Sequence, residues 1–460
     1  MRATRHIAIL AFLAVGALSF LVGCGSSPST SGGSSNSVGG TPTGNVLINV
    51  ADDPGDRVVS FTVTINSIAL IPQTGQPVTV FSTPTQVEIT QLAGTSMPLG
   101  IATVPQNTYV GAQITVSNPT IAILNPDGST KTIPLPPGPL TVNVKFDAPV
   151  TTSASGTAIN FDLRILGSIS IDAGGNVTLT PDFHANGGPL GNPGQQGPFD
   201  GGLSHFGGKV SAVGTSSFAV SLGSQTLTFN VNSSTQFKGV SGLGSLATGM
   251  MVFVDASTQS DGSLLATKVR VITLNPSFSL DGIVASVTGT PATQLGLIFR
   301  DHISMPGPPQ IGARVLVTVG TATFEIDNDD FNLTGLTFTP VFDASHIFAG
   351  QLVEVTATKA TPNAGSPPTV TASDIQLEPQ ALAGTPSNEN GASFTLTLAS
   401  DSAFATLTGA TSVTVFTTSQ TRFDNVSGVS ALGSTAKTLA RGFLFHDQGQ
   451  WKLVAMFVGQ

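Results

Sequence analysis

The side chains able to do chemistry are few, and their spacing suits little of it. The 460-residue chain has one cysteine, Cys24, and six histidines: His6, His184, His205, His302, His346 and His446. One thiol can make neither a disulfide nor a Cys-based zinc site. No two histidines have the His-Glu-x-x-His spacing that sets two imidazoles on one helix face. A serine nucleophile needs a strained turn and a base in reach. The chain has no Gly-x-Ser-x-Gly; Gly242-Leu243-Gly244-Ser245 and Gly428-Val429-Ser430 come nearest and read as turns. No glycine-rich stretch follows a strand and opens a helix, as a phosphate loop must. Glutamate is scarce and Trp451 is the single tryptophan. That counts against a glycosidase with paired carboxylates and against an aromatic sugar platform, and leaves sugar binding through Asn, Asp and Thr open.

Two acidic clusters remain. Asp52, Asp53 and Asp56 surround Pro54-Gly55. Calcium takes about six to eight oxygens, and three carboxylates could supply part of that shell. The same side chains cap backbone N–H groups in a turn, and the turn is the preferred reading. Asp327, Asp329 and Asp330 fail as an EF-hand: Asn332 stands where the loop needs Gly and Phe338 where it needs Glu. The residues therefore predict no catalytic, cofactor-binding or metal-binding site.

Cys24 has a context of its own. Arg2 and Arg5 precede an almost wholly apolar stretch, residues 7–21, which is shorter than the ~20 residues of a membrane span and fits a signal-peptide core. The following Leu21-Val22-Gly23-Cys24 resembles the lipobox of bacterial lipoproteins. The resemblance implies a diacylglyceryl group on the Cys24 thiol, cleavage after residue 23, and a membrane partner reached through lipid. Gly25-Ser26 carries no Asp, which in that family favours the outer over the inner membrane. Several acyl chains on one residue anchor firmly, at ~0.8 kcal/mol per buried CH₂. The alternatives are ordinary secretion and an apolar helix with an incidental cysteine. Loss of residues 1–23 removes two of the 17 basic residues and no acid, leaving 15 against 26, a formal charge of −11.

The elements that would position any site are strands. Charged residues are 9% of the chain, against ~25% on average, and a net charge of −9 argues against nucleic-acid binding. Residues 24–44 form a Ser/Gly-rich tether. From residue 45 apolar and polar residues alternate, as in Phe61/Val63/Ile65, Val142/Val144/Phe146 and Phe161/Leu163/Ile165. Period two with intervening Gly, Pro, Asn and Asp turns predicts a β-sandwich over 45–184. Residues 185–206 are Gly/Pro-rich and read as a linker.

The remainder repeats three times, at 207–275, 280–379 and 382–460. Gly208-x-Val210 returns as Gly282-x-Val284. Thr235-Gln236-Phe237 has a loose counterpart in Asp329-Asp330-Phe331 and a closer one in Thr421-Arg422-Phe423. Gly249-Met250-Met251-Val252 is echoed by Gly350-Gln351-Leu352-Val353 and by Gly442-Phe443-Leu444-Phe445. The third copy lacks the opening Gly-x-Val, and the second carries a Pro-rich insertion at 299–310. Sheets this small leave bare edges unless they close, which predicts small β-barrels. Residues 427–439 are the best helix candidate, and a weak one.

Ala51-Asp52-Asp53-Pro54, Val63-Thr64-Ile65, Phe161-Asp162-Leu163 and Leu179-Thr180-Pro181-Asp182-Phe183 resemble an N-terminal domain of unknown function found in bacterial envelope lipoproteins. Gly208-x-Val210, Thr235-x-Phe237, Gly249-x-x-Val252 and Asp261-Gly262 resemble a second small β-barrel domain of unknown function, often in tandem in the same proteins. The expectation is an all-β, lipid-anchored envelope protein with a non-enzymatic structural, adhesive or ligand-binding role. Its further partner would be an envelope polysaccharide or protein, bound with the avidity of repeated modules. Two alternatives stand beside it: an envelope hydrolase with an interdomain site of dispersed carboxylates and His, and a calcium-dependent surface domain using Asp52, Asp53 and Asp56.

Overall fold

The computed structural model describes residues 42–460 apart from 54–57, 93–95, 126–127, 136–137, 165–167, 172–176, 190–201, 223–224, 260, 262, 273–277, 304, 306, 327, 329–330, 362–366, 399–401 and 425. Residues 1–41, which hold the expected signal segment, Cys24 and most of the expected tether, lie outside the described residues. The chain is all-β, with closed sheets in tandem. Among the described residues no helix is long and apolar enough to cross a membrane.

Alternating side chains build the first domain. Its strands are β1 (Thr43–Asp53), β2 (Val58–Pro72), β3 (Val78–Phe81), β4 (Thr85–Glu88), β5 (Ser96–Pro105), β6 (Thr108–Leu124), β7 (Thr130–Pro134), β8 (Leu140–Thr151), β9 (Thr157–Arg164), β10 (Ile169–Ile171), β11 (Val177–Leu179) and β12 (Phe183–Pro189). One sheet runs β3-β2-β6-β8-β12-β9-β1-β5, with β4 on β2 and β7 on β6; β10 and β11 pair separately. The sheet curls until β5 lies against β3, giving a sandwich-like body. Phe61, Val63, Ile65, Phe146 and Phe161 line its core, as their period-two spacing predicts. The stretch read as a linker begins inside this sheet, where Gly187 and Gly188 of β12 pair with Ile159 and Ala158 of β9.

Barrel 1 comprises β13 (Gly202–Val213), β14 (Ser217–Leu222), β15 (Gln225–Asn230), β16 (Gln236–Lys238), β17 (Met251–Thr258) and β18 (Leu264–Ile272). Barrel 2 comprises β19 (Phe278–Thr288), β20 (Gln294–Ile303), β21 (Arg314–Thr318), β22 (Thr323–Ile326), β23 (Leu352–Thr361) and β24 (Thr369–Leu377). Their strand orders are the same, β15-β14-β13-β17-β18-β16 and β21-β20-β19-β23-β24-β22, closed by the β15–β18 and β21–β24 pairs. Barrel 3 has five strands, β25 (Gln380–Asn390), β26 (Ser393–Leu398), β27 (Ser412–Asp424), β28 (Thr438–Asp447) and β29 (Gln450–Gly459), closed in the order β25-β26-β27-β29-β28. Here β27 does the work of two strands. It pairs with β29 at Thr414–Thr417, breaks register, and pairs again at Arg422–Asp424.

The repeated motifs acquire physical reasons, and two alignments change. A Cβ on Gly208, Gly282 or Gly384 would stand 2.7, 2.7 and 2.2 Å from the carbonyl oxygen of Ser221, Ile298 and Thr397 respectively. The opening glycine thus survives in the third copy as Gly384, paired with Thr438 as Gly208 is with Val252. Val210 and Val284 donate their N–H groups to Met250 and Gln351; Pro386, two residues after Gly384, has none to give. Thr235 accepts from Asn232 N at 3.0 Å and donates to Ala266 O at 2.7 Å. Thr421 repeats both bonds, from Thr418 N at 2.7 Å and to Ala455 O at 2.6 Å. These hydroxyls span the break between two pairings, so Thr421→Val is expected to lower stability by about 1–2 kcal/mol, read in urea unfolding of the full chain.

In barrel 2 the counterpart of Phe237 is Phe324 rather than Phe331: Phe237 pairs with Val269, and Phe324 with Ile375. Gly442 is not the counterpart of Gly249. It sits opposite Ala455, as Ala256 sits opposite Ala266. Residues 427–439 form only a 3-10 turn, Val429–Ala431, before β28 begins. The one described α-helix, Ala403–Thr408, is too short to show a period; Ser402 caps it through Ala405 N and Gly409 ends it at φ 72°.

Candidate functional site

The sites legible in the sequence stay apart in the fold. His184 Nδ1 lies 3.5 Å from Asp147 on the exposed side of the first domain. His302 stacks on Phe299, and burial pulls its pKa below the ordinary histidine value. His346 is bonded to Asp343 at 2.8 Å. His446 lies 4.6 Å from the rings of both Phe348 and Trp451; burial lowers its pKa and Asp447 opposes the shift. The His205 side chain, those of Asp52 and Asp53, and Asp56, Asp327, Asp329 and Asp330 lie outside the described residues; the backbone of Asp52 and Asp53 belongs to β1. Among the described residues no three His, Cys, Asp or Glu side chains are grouped to hold a metal ion. Trp451 does not stand alone: the Phe404 and Phe348 rings meet it nearly at right angles.

What the fold does assemble is a set of polar junctions. Glu88, at the end of β4, takes the Ser60 hydroxyl at 3.0 Å, the Phe61 N–H at 2.7 Å and the Thr90 hydroxyl at 2.8–2.9 Å. Arg300 of β20 reaches it from barrel 2, Nη2 to Oε2 at 3.4 Å, and also bonds Thr90; both charged side chains are 8% exposed. Arg441 of β28 keeps some exposed surface, but its charged end is enclosed by protein. Burial pulls its pKa down to about 10; Glu378 opposes that fall and Arg300 adds to it. The residues just after the Pro-rich insertion of barrel 2 dock on β7, where Thr132 donates to Ile311 O at 2.9 Å and Thr130 to Gly312 O. Residues 331–351, between β22 and β23, strap barrel 2 to barrel 3: Phe338 packs on Phe416 and Phe445, and Gln351 donates to Leu444 O at 2.8 Å.

A groove between two parts of the fold has no charge in its lining. It encloses about 360 Å³ between β1 and β5 of the first domain and β15 and β18 of barrel 1. Leu47, Pro98, Ile101, Leu227 and Leu264 supply its apolar walls, and Thr226, Thr228, Asn230 and Ser263 its polar ones. Ile101 is 41% exposed there. The volume is near the small end of ligand pockets, at a domain junction where such pockets concentrate. The lining holds no charged side chain, and its polar groups are the hydroxyls of Thr226, Thr228 and Ser263 and the Asn230 amide.

Residues 43–188 match the model of a domain of unknown function, DUF4382, and residues 207–270 match that of another, DUF5666. Two domains of unknown function are present. The first match spans β1 to β12, and the second covers most of barrel 1. Barrels 2 and 3 carry the same closed design outside the matched residues. No curated protein matches the chain.

Sequence reasoning missed the junction residues. Glu88 and Arg300 stand 212 positions apart, and neither belongs to a motif. The available signal was scarcity: in a chain with 26 acidic and 17 basic residues, a charge on an apolar strand, such as Arg300 after Leu297-Ile298-Phe299, needs a partner.

Proposed function

We propose that this chain is a lipid-anchored protein of the cell envelope, attached through Cys24 and sorted to the outer membrane, with a structural, adhesive or ligand-binding role rather than a catalytic one. The saturation of Glu88 carries the non-catalytic part. A general acid or base must be free to exchange a proton with substrate, whereas this carboxylate is held by three neighbouring donors and by Arg300. Two arguments support the anchor: the apolar segment ending at Leu21-Val22-Gly23-Cys24, and the polar tether of residues 24–44 that would separate lipid from β1. The uncharged groove favours a neutral ligand, in keeping with an envelope polysaccharide or protein as partner.

The anchor is tested by labelling cells with a fatty-acid probe. Cys24→Ser is expected to abolish incorporation and release the protein from the membrane fraction; unchanged labelling would overturn the reading. The binding role is tested with purified protein against peptidoglycan, envelope polysaccharides and envelope proteins. Saturable binding to one class is expected, without turnover. Hydrolysis of any of them by the purified protein would overturn the non-catalytic reading.

A further inference from the structure

Among the described residues, barrel 1 differs from the other parts in sharing no buried apolar cluster with a neighbour. Barrels 2 and 3 share one apolar core, in which Phe331 meets Phe443 and Val454 of β29 packs with residues of barrel 2. Barrel 2 and the first domain share another, in which Ile298 is buried with Val59, Ala122 and Leu124. The core of barrel 1, built on Phe206, Phe218, Phe229, Val254 and Val269, contains no residue of any other part among the described residues. Towards the first domain, barrel 1 meets β5 along β13, accepts the Asn45 amide at Asp261 O at 2.9 Å, and borders the uncharged groove.

Towards barrel 2 it presents charge. Arg270 of β18 donates from Nη2 to Glu354 of β23 at 3.0 Å and from Nη1 to Gln376 of β24; the Arg270 and Glu354 side chains are 15% and 5% exposed. The guanidinium lies 4.8 Å from the centre of the Phe253 ring in its own barrel, which fixes its direction before any partner arrives. Around it stand Asp374 and the exposed pair Lys238–Glu325, at 3.7 Å. Gln376 is nearly buried, and its amide Nε2 has no partner among the described residues.

The two kinds of contact behave differently on separation. Opening an apolar seam exposes hydrocarbon to water, a loss in proportion to area. Opening an ionic seam returns both charges to water, so the desolvation penalty of the closed state is recovered and the net preference for closure is small. Opening also lets the Gln376 amide find water, which relieves a cost of the closed state. We infer that barrel 1 is a latched module, held on barrel 2 by Arg270 with Glu354 and Gln376, that leaves this seat while each part stays folded. Departure widens the groove, because β15 and β18 form one of its walls.

The test uses the full chain with Cys24→Ser and spin labels on cysteines at Ser216 in barrel 1 and Thr385 in barrel 3, both exposed. Pulsed-dipolar distances report the seat, and amide hydrogen exchange reports whether barrel 1 is folded. The parent is expected to give one narrow distance. Arg270→Gln removes the guanidinium from the buried Glu354 carboxylate and should raise the unlatched-to-latched ratio by on the order of 100-fold, seen as a second, broad distance with barrel 1 amides still protected. The exchanged pair Arg270→Glu/Glu354→Arg should recover much of the narrow distance. An unchanged distance in Arg270→Gln would overturn the inference. So would a broad one accompanied by loss of protection in barrel 1, since that reports unfolding rather than release.

Discussion

Replacing Glu88 by Leu is expected to cost about 3–5 kcal/mol, the range for removing one partner of a buried ion pair. Arg300→Met should cost about 1.5–3 kcal/mol, the range for a single charged hydrogen bond. The asymmetry follows from how each group is satisfied. Without Arg300, the carboxylate keeps the Ser60 hydroxyl, the Phe61 N–H and the Thr90 hydroxyl. Without Glu88, the guanidinium keeps Thr90 alone, its Nε has no partner among the described residues, and the Arg441 charge is near enough to repel it. The double variant should be less destabilised than the sum of the two, because it buries no orphan charge. Urea unfolding of the four proteins in the cycle checks this. Equal losses in the two single variants would mean that Glu88 is not held independently of Arg300.

The sheet architecture was readable because each of its causes is local. Phe61, Val63 and Ile65 alternate with Thr62 and Thr64, and the first three enter the core. Such alternation fixes strand and face together. The repeats were readable where a residue answers a backbone need that recurs at the same place, as Thr235 and Thr421 do with their paired hydrogen bonds. The misaligned echoes came from motifs matched by type without register. Gly442 resembles Gly249 in sequence, but the pairing of Thr438 with Gly384 fixes β28 differently. The start of the 185–206 stretch differs from a linker because glycine marks linkers and tightly packed strands alike; at Gly187 of β12, where a Cβ would stand 2.8 Å from Ala158 O, it is the second.

The junctions were not readable for a different reason. Arg270 finds Glu354 across 84 positions, and Arg300 finds Glu88 across 212. No periodicity encodes such a pairing, because the partners lie on different folding units. The strap is a similar case. Phe331, Phe338 and Phe348 sit in a segment without strand pattern, and their apolar character makes sense only once barrel 3 supplies Phe443, Phe416 and Trp451 to receive them. The same absence of local pattern concealed the groove, whose walls come from two domains and whose lining holds no charged residue.

Gly442→Ala is expected to destabilise the chain by about 3 kcal/mol, the upper part of the range for forcing extra volume into a packed core. A Cβ at this position would stand 2.0 Å from Val454 O, 2.7 Å from Val454 C and 2.8 Å from Ala455 Cα. All three are backbone atoms of β29, so no rotamer change relieves the overlap, and the two strands must move apart. The equivalent positions in barrels 1 and 2 are alanines, Ala256 and Ala357, each opposite another alanine or beside one, which places the constraint in barrel 3 itself. Its origin lies in the next three residues. Phe443, Leu444 and Phe445 are all buried, the phenylalanines in the core shared with barrel 2 and Leu444 in that of barrel 3. A strand buried on both faces cannot shift without disturbing both cores. Hydrogen exchange in Gly442→Ala should therefore lose protection in barrels 2 and 3 together while barrel 1, with its own core, is unaffected. Gly449→Ala, at φ 77° in the open β28–β29 turn, should cost only about 1 kcal/mol. Protection lost in barrel 3 alone would mean that the shared core does not couple the two barrels.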